Sequence, residues 1–153
     1  MNVGSHIEKI TRLESLRARL DPLADFELWF WAGMTLGTHA VNAALHHGLV
    51  TADDDIFPMQ PGVYLVPQQD GSLVPCYRPL GDVLHVGRPK VQARVPDDIA
   101  VMMHQMELIE SYRDPCVREG LTPTPAIVDE CERALQECLR SLKGRLSGAK
   151  NER

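Results

Sequence analysis

The sequence has few aromatic residues and no excess of basic charge. Aromatic side chains make up 5% of the 153 residues, and 16 Lys and Arg stand against 21 Asp and Glu, for a net charge of −5. General binding to nucleic acid or to anionic membranes needs a basic face. We therefore predict neither kind of partner.

The sequence also lacks the short motifs that identify common active sites. It contains no G-x-x-x-x-G-K-[ST] loop, no G-x-G-x-x-G loop and no serine in G-x-S-x-G. Nucleotide binding through those loops and the corresponding serine chemistry are excluded.

Cysteines are few, and their spacing does not indicate a metal or redox site. Cys76, Cys116, Cys131 and Cys138 include no C-x-x-C pair. Cys131 and Cys138 are two helical turns apart, about 10 Å along the axis, which is too far for a disulfide. We predict small core residues. Free thiols, and a polar amino-terminal segment without an apolar signal core, predict a cytoplasmic protein.

One long segment has no charged side chain. The 23 residues from Leu28 to Val50 contain no Asp, Glu, Lys or Arg, a length that spans a bilayer. They include His39, Asn42, His46 and His47, polar groups that need partners in lipid. We therefore predict a central buried helix and no membrane span.

Apolar periodicity predicts a mainly α, four-helix bundle-like single domain over residues 1–146. The predicted helices cover about 6–20, 22–47, 97–113 and 125–143, and 147–153 form a frayed polar tail. Ser5 and Glu8 fit a capping box at the first helix, and Gly48 is a stop for the second. Pro115 ends the third, and Thr124 with Pro125 begins the fourth.

The stretch from residue 51 to residue 95, called the insert below, differs in composition from the helices. Seven of the eleven prolines lie between Thr51 and Pro96. Short apolar runs at 63–66 and 73–77 flank an Asp-Gly turn and predict a β-hairpin, and 82–86 is a candidate third strand. We predict a small β-meander or an ordered lid.

The most informative feature is the polar stripe, defined as Thr35, His39, Asn42 and His46. Their spacing places all four on one face of the second helix. Buried polar groups must be hydrogen-bonded, so the stripe is either a structural network or the lining of a ligand pocket. His39 and His46 are about 10 Å apart along the axis and cannot share an ion without intervening groups. We predict no metal and no cofactor.

A second polar cluster lies at the end of the third predicted helix. Arg113 and Arg118 are candidates for binding an anion such as a carboxylate or phosphate. The alternative is that they cap carbonyl groups or pair with nearby acids.

Four helices with histidines on the second resemble two bacterial bundle families, the HEPN-type nucleases and the DinB-like metal bundles. Only Arg78 and His85 have the HEPN spacing of arginine and histidine, but Pro79 and Gly81 interrupt it within the insert. The paired helical histidines of the DinB-like bundles are missing. We assign no family.

Two functions follow from these features. The first is a non-catalytic binding or assembly module, a homo-oligomer such as a dimer, because the second helix is apolar nearly all round. The alternative is an enzyme dependent on a small molecule or a metal, with the polar stripe as its site.

Overall fold

The computed structural model describes residues 1–53, 63–77, 81–83, 86–87, 91 and 93–148. Its four α-helices are α1 (Val3–Arg17), α2 (Phe26–His47), α3 (Asp97–Ser111) and α4 (Pro125–Gly148). Within the described residues there is one strand pair, β1 (Val63–Pro67) and β2 (Leu73–Tyr77), which lies between α2 and α3. The predicted mainly α, bundle-like fold is confirmed.

α1 begins earlier than its sequence signal indicates. Its N-cap is Asn2, whose Oδ1 accepts a hydrogen bond from the Ser5 backbone N–H at 2.9 Å. The capping box predicted at Ser5 is therefore wrong, because asparagine is an equally good cap and stands three residues earlier. As a result, His6 lies inside the first turns of the helix and is fully buried.

α2 begins at Phe26 rather than at Pro22. The Asp21 carboxylate accepts hydrogen bonds from the backbone N–H groups of Leu23 and Ala24, and these contacts form a separate turn before the helix. The helix ends at Gly48 as predicted. The left-handed conformation falls on Leu49, with φ 56°, rather than on the glycine.

α2 is the central helix, and it packs against α1, α3 and α4. Most of its residues are buried, Phe30, Leu36, Val41 and Leu45 among them. Gly37 allows α3 to approach, since a Cβ atom there would overlap the Sδ of Met106. No helix in the described part of the chain combines the length and apolar character that a membrane crossing requires.

The end of α3 and the length of α4 differ from prediction. α3 ends at Ser111, and Pro115 lies in a short π-helix, Asp114–Arg118, that begins after Tyr112 and Arg113. Proline is tolerated there since it occupies the first turn. α4 passes through Gly144 and continues to Gly148. Near its end Arg145 pairs with Asp98 of α3 through two bonds of 2.6 and 2.7 Å. Residues 149–153 of the predicted tail lie outside the described residues.

The predicted hairpin of the insert is present. β1 and β2 are antiparallel, with Val63 opposite Tyr77 and Pro67 opposite Leu73. Gly71 takes the left-handed conformation in the turn, with φ 81°. The third strand predicted at 82–86 is not seen at Asp82, Val83 and Val86, and its remaining two residues lie outside the described part.

Cys131 and Cys138 are buried in the core on α4, as predicted. Burial is the main cause that raises the pKa of each thiol to about 12. Both are therefore un-ionised, weakly nucleophilic core residues near neutral pH.

The contact between α2 and α3 at Gly37 gives a stability test. We expect Gly37→Ala to destabilise the protein by about 1–3 kcal/mol, because the added methyl group must displace the fully buried Met106. The matched control is Gly144→Ala in α4, where nothing lies within 4 Å of the added atom. It should stabilise the helix by about 1 kcal/mol. Urea denaturation of both variants measures this, and equal behaviour of the two would contradict the close approach.

Candidate functional site

A buried carboxylate, Asp82, is the centre of the candidate site. Its Oδ1 atom lies 3.2 Å from Nε2 of His6 on α1 and 3.0 Å from Nε2 of His46 on α2. The Met1 nitrogen donates to the same oxygen at 2.6 Å. The two histidine side chains are 0% exposed and that of Asp82 is 5% exposed. The insert therefore contributes an anion to a histidine pair from two helices.

The Asp82 carboxyl is held in its ionised form. Burial by itself opposes ionisation, but hydrogen bonds from His46, His6 and the Met1 nitrogen outweigh it and keep the pKa of Asp82 well below its usual range. A buried carboxylate needs such donors, because an unpaired one would lose its hydration without compensation.

Each histidine also has a partner at its other ring nitrogen. Thr51 Oγ1 lies 2.7 Å from Nδ1 of His46. Nδ1 of His39 lies 2.9 Å from Nδ1 of His6. A neutral histidine that donates from Nε2 to Asp82 has a lone pair on Nδ1. Thr51 and His39 then act as donors to His46 and His6.

His39 connects this cluster to the surface, since it is only partly buried. Burial is the main cause that lowers the pKa of His39 below its usual value. The neutral ring is favoured, and a neutral ring offers one donor and one acceptor. His39 can therefore exchange these roles with His6.

Asn42 has a structural role. Its Nδ2 donates to the carbonyl groups of Thr38 and Val83 at 3.0 and 2.9 Å, and its Oδ1 accepts from the Val83 N–H at 2.6 Å. The amide thereby pairs with the backbone of Val83, next to Asp82 in the chain. This contact attaches that part of the insert to α2 and places the carboxylate.

Thr35 is separate from the other members of the polar stripe. It is exposed, and its hydroxyl donates to the carbonyl of Trp31 at 2.8 Å. It borders a cleft of about 200 Å³ between α2, α3 and the insert, whose apolar lining includes Trp31, Met34, Val86 and Met106. The polar stripe is thus divided into a surface residue, a structural amide and two histidines of one cluster.

Arg113 and Arg118 both have acidic partners. Arg113 pairs with Glu110 at 2.9 Å and with Asp114 at 3.1 Å, and Arg118 pairs with Asp114 at 3.0 Å. These ion pairs agree with the alternative interpretation, in which the two arginines pair with nearby acids. Arg113 also lines the cleft. Their predicted anion binding stays a prediction.

Several residues of the cluster were missed by the sequence reasoning. His6 shares a helical face with the buried Ile10, and this spacing was its only local signal. Nothing local distinguishes Asp82 or Thr51. His6 of α1 lies against the rings of both His39 and His46, with centroids 5.1 and 5.2 Å away.

The chemistry open to this cluster includes metal binding. One ligand atom from each of His6, His46 and Asp82 lies within 4.8 Å of the other two. Two imidazoles and a carboxylate are a donor set for Zn²⁺ or Fe²⁺.

The chain matches no protein-family model, and no curated protein or solved structure is significantly similar to it. Function must therefore be argued from the geometry of the site.

The structural role of Asn42 gives the second prediction. We expect Asn42→Ala to leave the Val83 backbone groups unpaired, at about 1–3 kcal/mol for each unsatisfied group. The melting temperature should fall by about 2–4 °C per kcal/mol for a domain of this size.

Thr35→Ala is the control on the same helix, because the lost hydroxyl is exposed and bonds only to its own helix. It should change stability by less than about 0.5 kcal/mol. Calorimetry that found Asn42→Ala as stable as the parent would show that the amide is not structural.

Proposed function

We propose that this protein binds a divalent transition metal ion at the metal centre, defined as His6, His46 and Asp82. The observation that carries the proposal is the convergence of three ligand atoms from α1, α2 and the insert on one buried point. The proposal departs from the sequence-based prediction of no metal, which did not include His6 or Asp82 among the candidate ligands.

The distances within the cluster support this function. Metal–nitrogen bonds of about 2.0–2.1 Å place neighbouring ligand atoms about 3.0–3.4 Å apart in octahedral or tetrahedral geometry. The two Nε2 atoms lie 3.2 and 3.0 Å from Asp82 Oδ1. Each nitrogen is therefore already at about ligand spacing from the carboxylate oxygen, and all three ligand atoms lie within 4.8 Å of one another.

The composition of the donor set favours particular ions. Imidazole nitrogens suit zinc and iron, whereas Mg²⁺ and Ca²⁺ prefer sites made of oxygen ligands. Three protein ligands are also the number found in catalytic zinc sites, which keep one position for water or substrate. This links the metal centre to the alternative function inferred above, a metal-dependent enzyme.

Assembly into a homo-oligomer is the second candidate function, favoured by a different observation. Leu28 and Trp31 lie on one face of α2 and are 55% and 38% exposed, although most of that helix is buried. The apolar lining of the cleft continues from Trp31 to Met34. A second copy of the chain is the partner proposed for this face, since contiguous apolar surface is typical of protein interfaces.

The metal proposal predicts a zinc-dependent gain in stability. When protein purified without a histidine tag is stripped with a chelator, loaded with Zn²⁺ and desalted, we expect one Zn²⁺ per chain by elemental analysis. Zinc at 100 times its Kd should add about 2.7 kcal/mol to the free energy of unfolding. Loss of a hydrogen-bond partner of a ligand weakens metal binding about 10–100-fold. Asp82→Asn and His46→Gln each remove a ligand itself, so each should weaken zinc binding by more than that.

The control for this experiment is His104→Gln, which removes an exposed histidine of α3 and should leave zinc binding unchanged. Mg²⁺ should give no stabilisation. A stripped wild-type protein that neither binds nor is stabilised by zinc would refute the metal centre, whatever the variants do.

The assembly proposal predicts an oligomer at micromolar concentration. We expect Leu28→Glu to convert it to a monomer, because a charge would be buried in the interface. Val101→Glu, at a similarly exposed position on α3, should leave it assembled. Light scattering coupled to size-exclusion chromatography measures both, and a wild-type protein found only as a monomer would contradict assembly.

A further inference from the structure

The outer contacts of the metal centre indicate how it changes between a hydrogen-bonded and a metal-bound state. We infer that Thr51 and His39 are positioning residues that satisfy the outer nitrogen, Nδ1, of His46 and His6 whether the ring proton lies on Nε2 or on Nδ1, and that this frees Nε2 for the metal. This inference rests on the proposed function and concerns the same site.

The first step is the ring chemistry of the two ligands. In the structure, both Nε2 atoms face the Asp82 carboxylate, which can only accept, so each Nε2 carries the proton. A metal needs the lone pair of that nitrogen. A neutral ligand histidine must therefore carry its proton on Nδ1 and donate it to an acceptor.

The second step concerns Thr51, which is 4% exposed and contacts Nδ1 of His46 at 2.7 Å. A hydroxyl group both donates and accepts. Thr51 donates when His46 is bonded to Asp82, and it accepts when the proton of His46 has moved to Nδ1. The same side chain therefore satisfies the buried ring in both states.

The third step concerns His39, whose Nδ1 faces Nδ1 of His6 at 2.9 Å. A neutral imidazole offers a donor at one nitrogen and an acceptor at the other. His39 donates to His6 in the hydrogen-bonded state and accepts from it in the metal-bound state. Because it is partly exposed, its tautomer can exchange protons with water.

The exchange conserves the number of protons on each ring. Each ligand ring loses one proton at Nε2 and gains one at Nδ1 through solvent, so neither ring changes its charge. A donor-only or acceptor-only partner at Nδ1 would leave a buried group unpaired in one state, at a cost in free energy. Thr51 and His39 are both groups that avoid this cost.

Thr51→Val and Thr51→Ser form the decisive pair of variants. Valine keeps the shape without the hydroxyl, whereas serine keeps the hydroxyl. The metal polarises the ligand ring, so the Nδ1–H bond to Thr51 is stronger with metal bound than without it. We expect Thr51→Val to weaken zinc binding about 10–100-fold, the usual effect of losing an outer partner. Thr51→Ser should restore binding to within about threefold of wild type.

His39→Leu and His39→Gln repeat the test at His6. Leucine removes both functions, while the glutamine amide can donate or accept. We expect zinc binding to be weakened in the leucine variant and largely retained in the glutamine variant. A competing chromogenic chelator at one fixed pH measures all four affinities.

Nitrogen-15 NMR of the histidine rings provides a signature that a purely structural role would not change. We expect His6 and His46 to carry their protons on Nε2 without zinc and on Nδ1 with zinc. Two outcomes would overturn the inference alone. In the first, wild type and Thr51→Val bind zinc equally well. In the second, wild type binds zinc but its rings already carry Nδ1 protons without zinc. Wild-type protein that binds no zinc would overturn the proposed function and the inference together.

Discussion

The arrangement around the insert depends on one physical constraint, the burial of the ionised Asp82 carboxylate. A charge removed from water is tolerated only where donors replace its hydration. His6 of α1 and His46 of α2 supply two of them, from positions 76 and 36 residues away in the sequence. The Asn42 side-chain amide holds the next residue, Val83, through the backbone N–H and carbonyl of that residue. The same contacts that satisfy Asp82 therefore join α1, α2 and the insert.

The hydrogen-bonded cluster and the proposed metal centre consist of the same atoms. Two Nε2 atoms around one carboxylate oxygen have nearly the spacing of ligands around a transition metal ion. The difference between the two states is where each ring proton lies. Thr51 and His39 contact the ring nitrogens that face away from Asp82, and both can donate or accept. In the proposed metal centre, these outer residues would orient the ligand rings.

α2 provides three different surfaces from one nearly uncharged sequence. Its buried faces pack against three helices, with Gly37 admitting Met106 of α3. Its carboxyl-terminal half carries Asn42 and His46 beneath the insert. Its amino-terminal half leaves Leu28 and Trp31 partly in solvent. Core packing alone therefore does not account for the apolar composition of α2. The proposed metal centre and the proposed interface lie on different turns of this helix.

The sequence by itself determined the elements whose signals are local. Apolar periodicity located four helices, the Asp-Gly turn located the hairpin, and helical spacing placed Cys131 and Cys138 in the core. Helix starts were less certain, because Asn2 and Ser5 are both good caps and only the packing of α1 selects between them. The polar stripe was predicted as one set, whereas the structure places Thr35 at the surface, Asn42 on the Val83 backbone and His39 and His46 around His6. Only the tertiary structure brought His6 and Asp82 to His46, because these contacts join distant segments. No periodicity or short motif encodes them, since each partner is chosen by the need to satisfy a buried polar group in three dimensions.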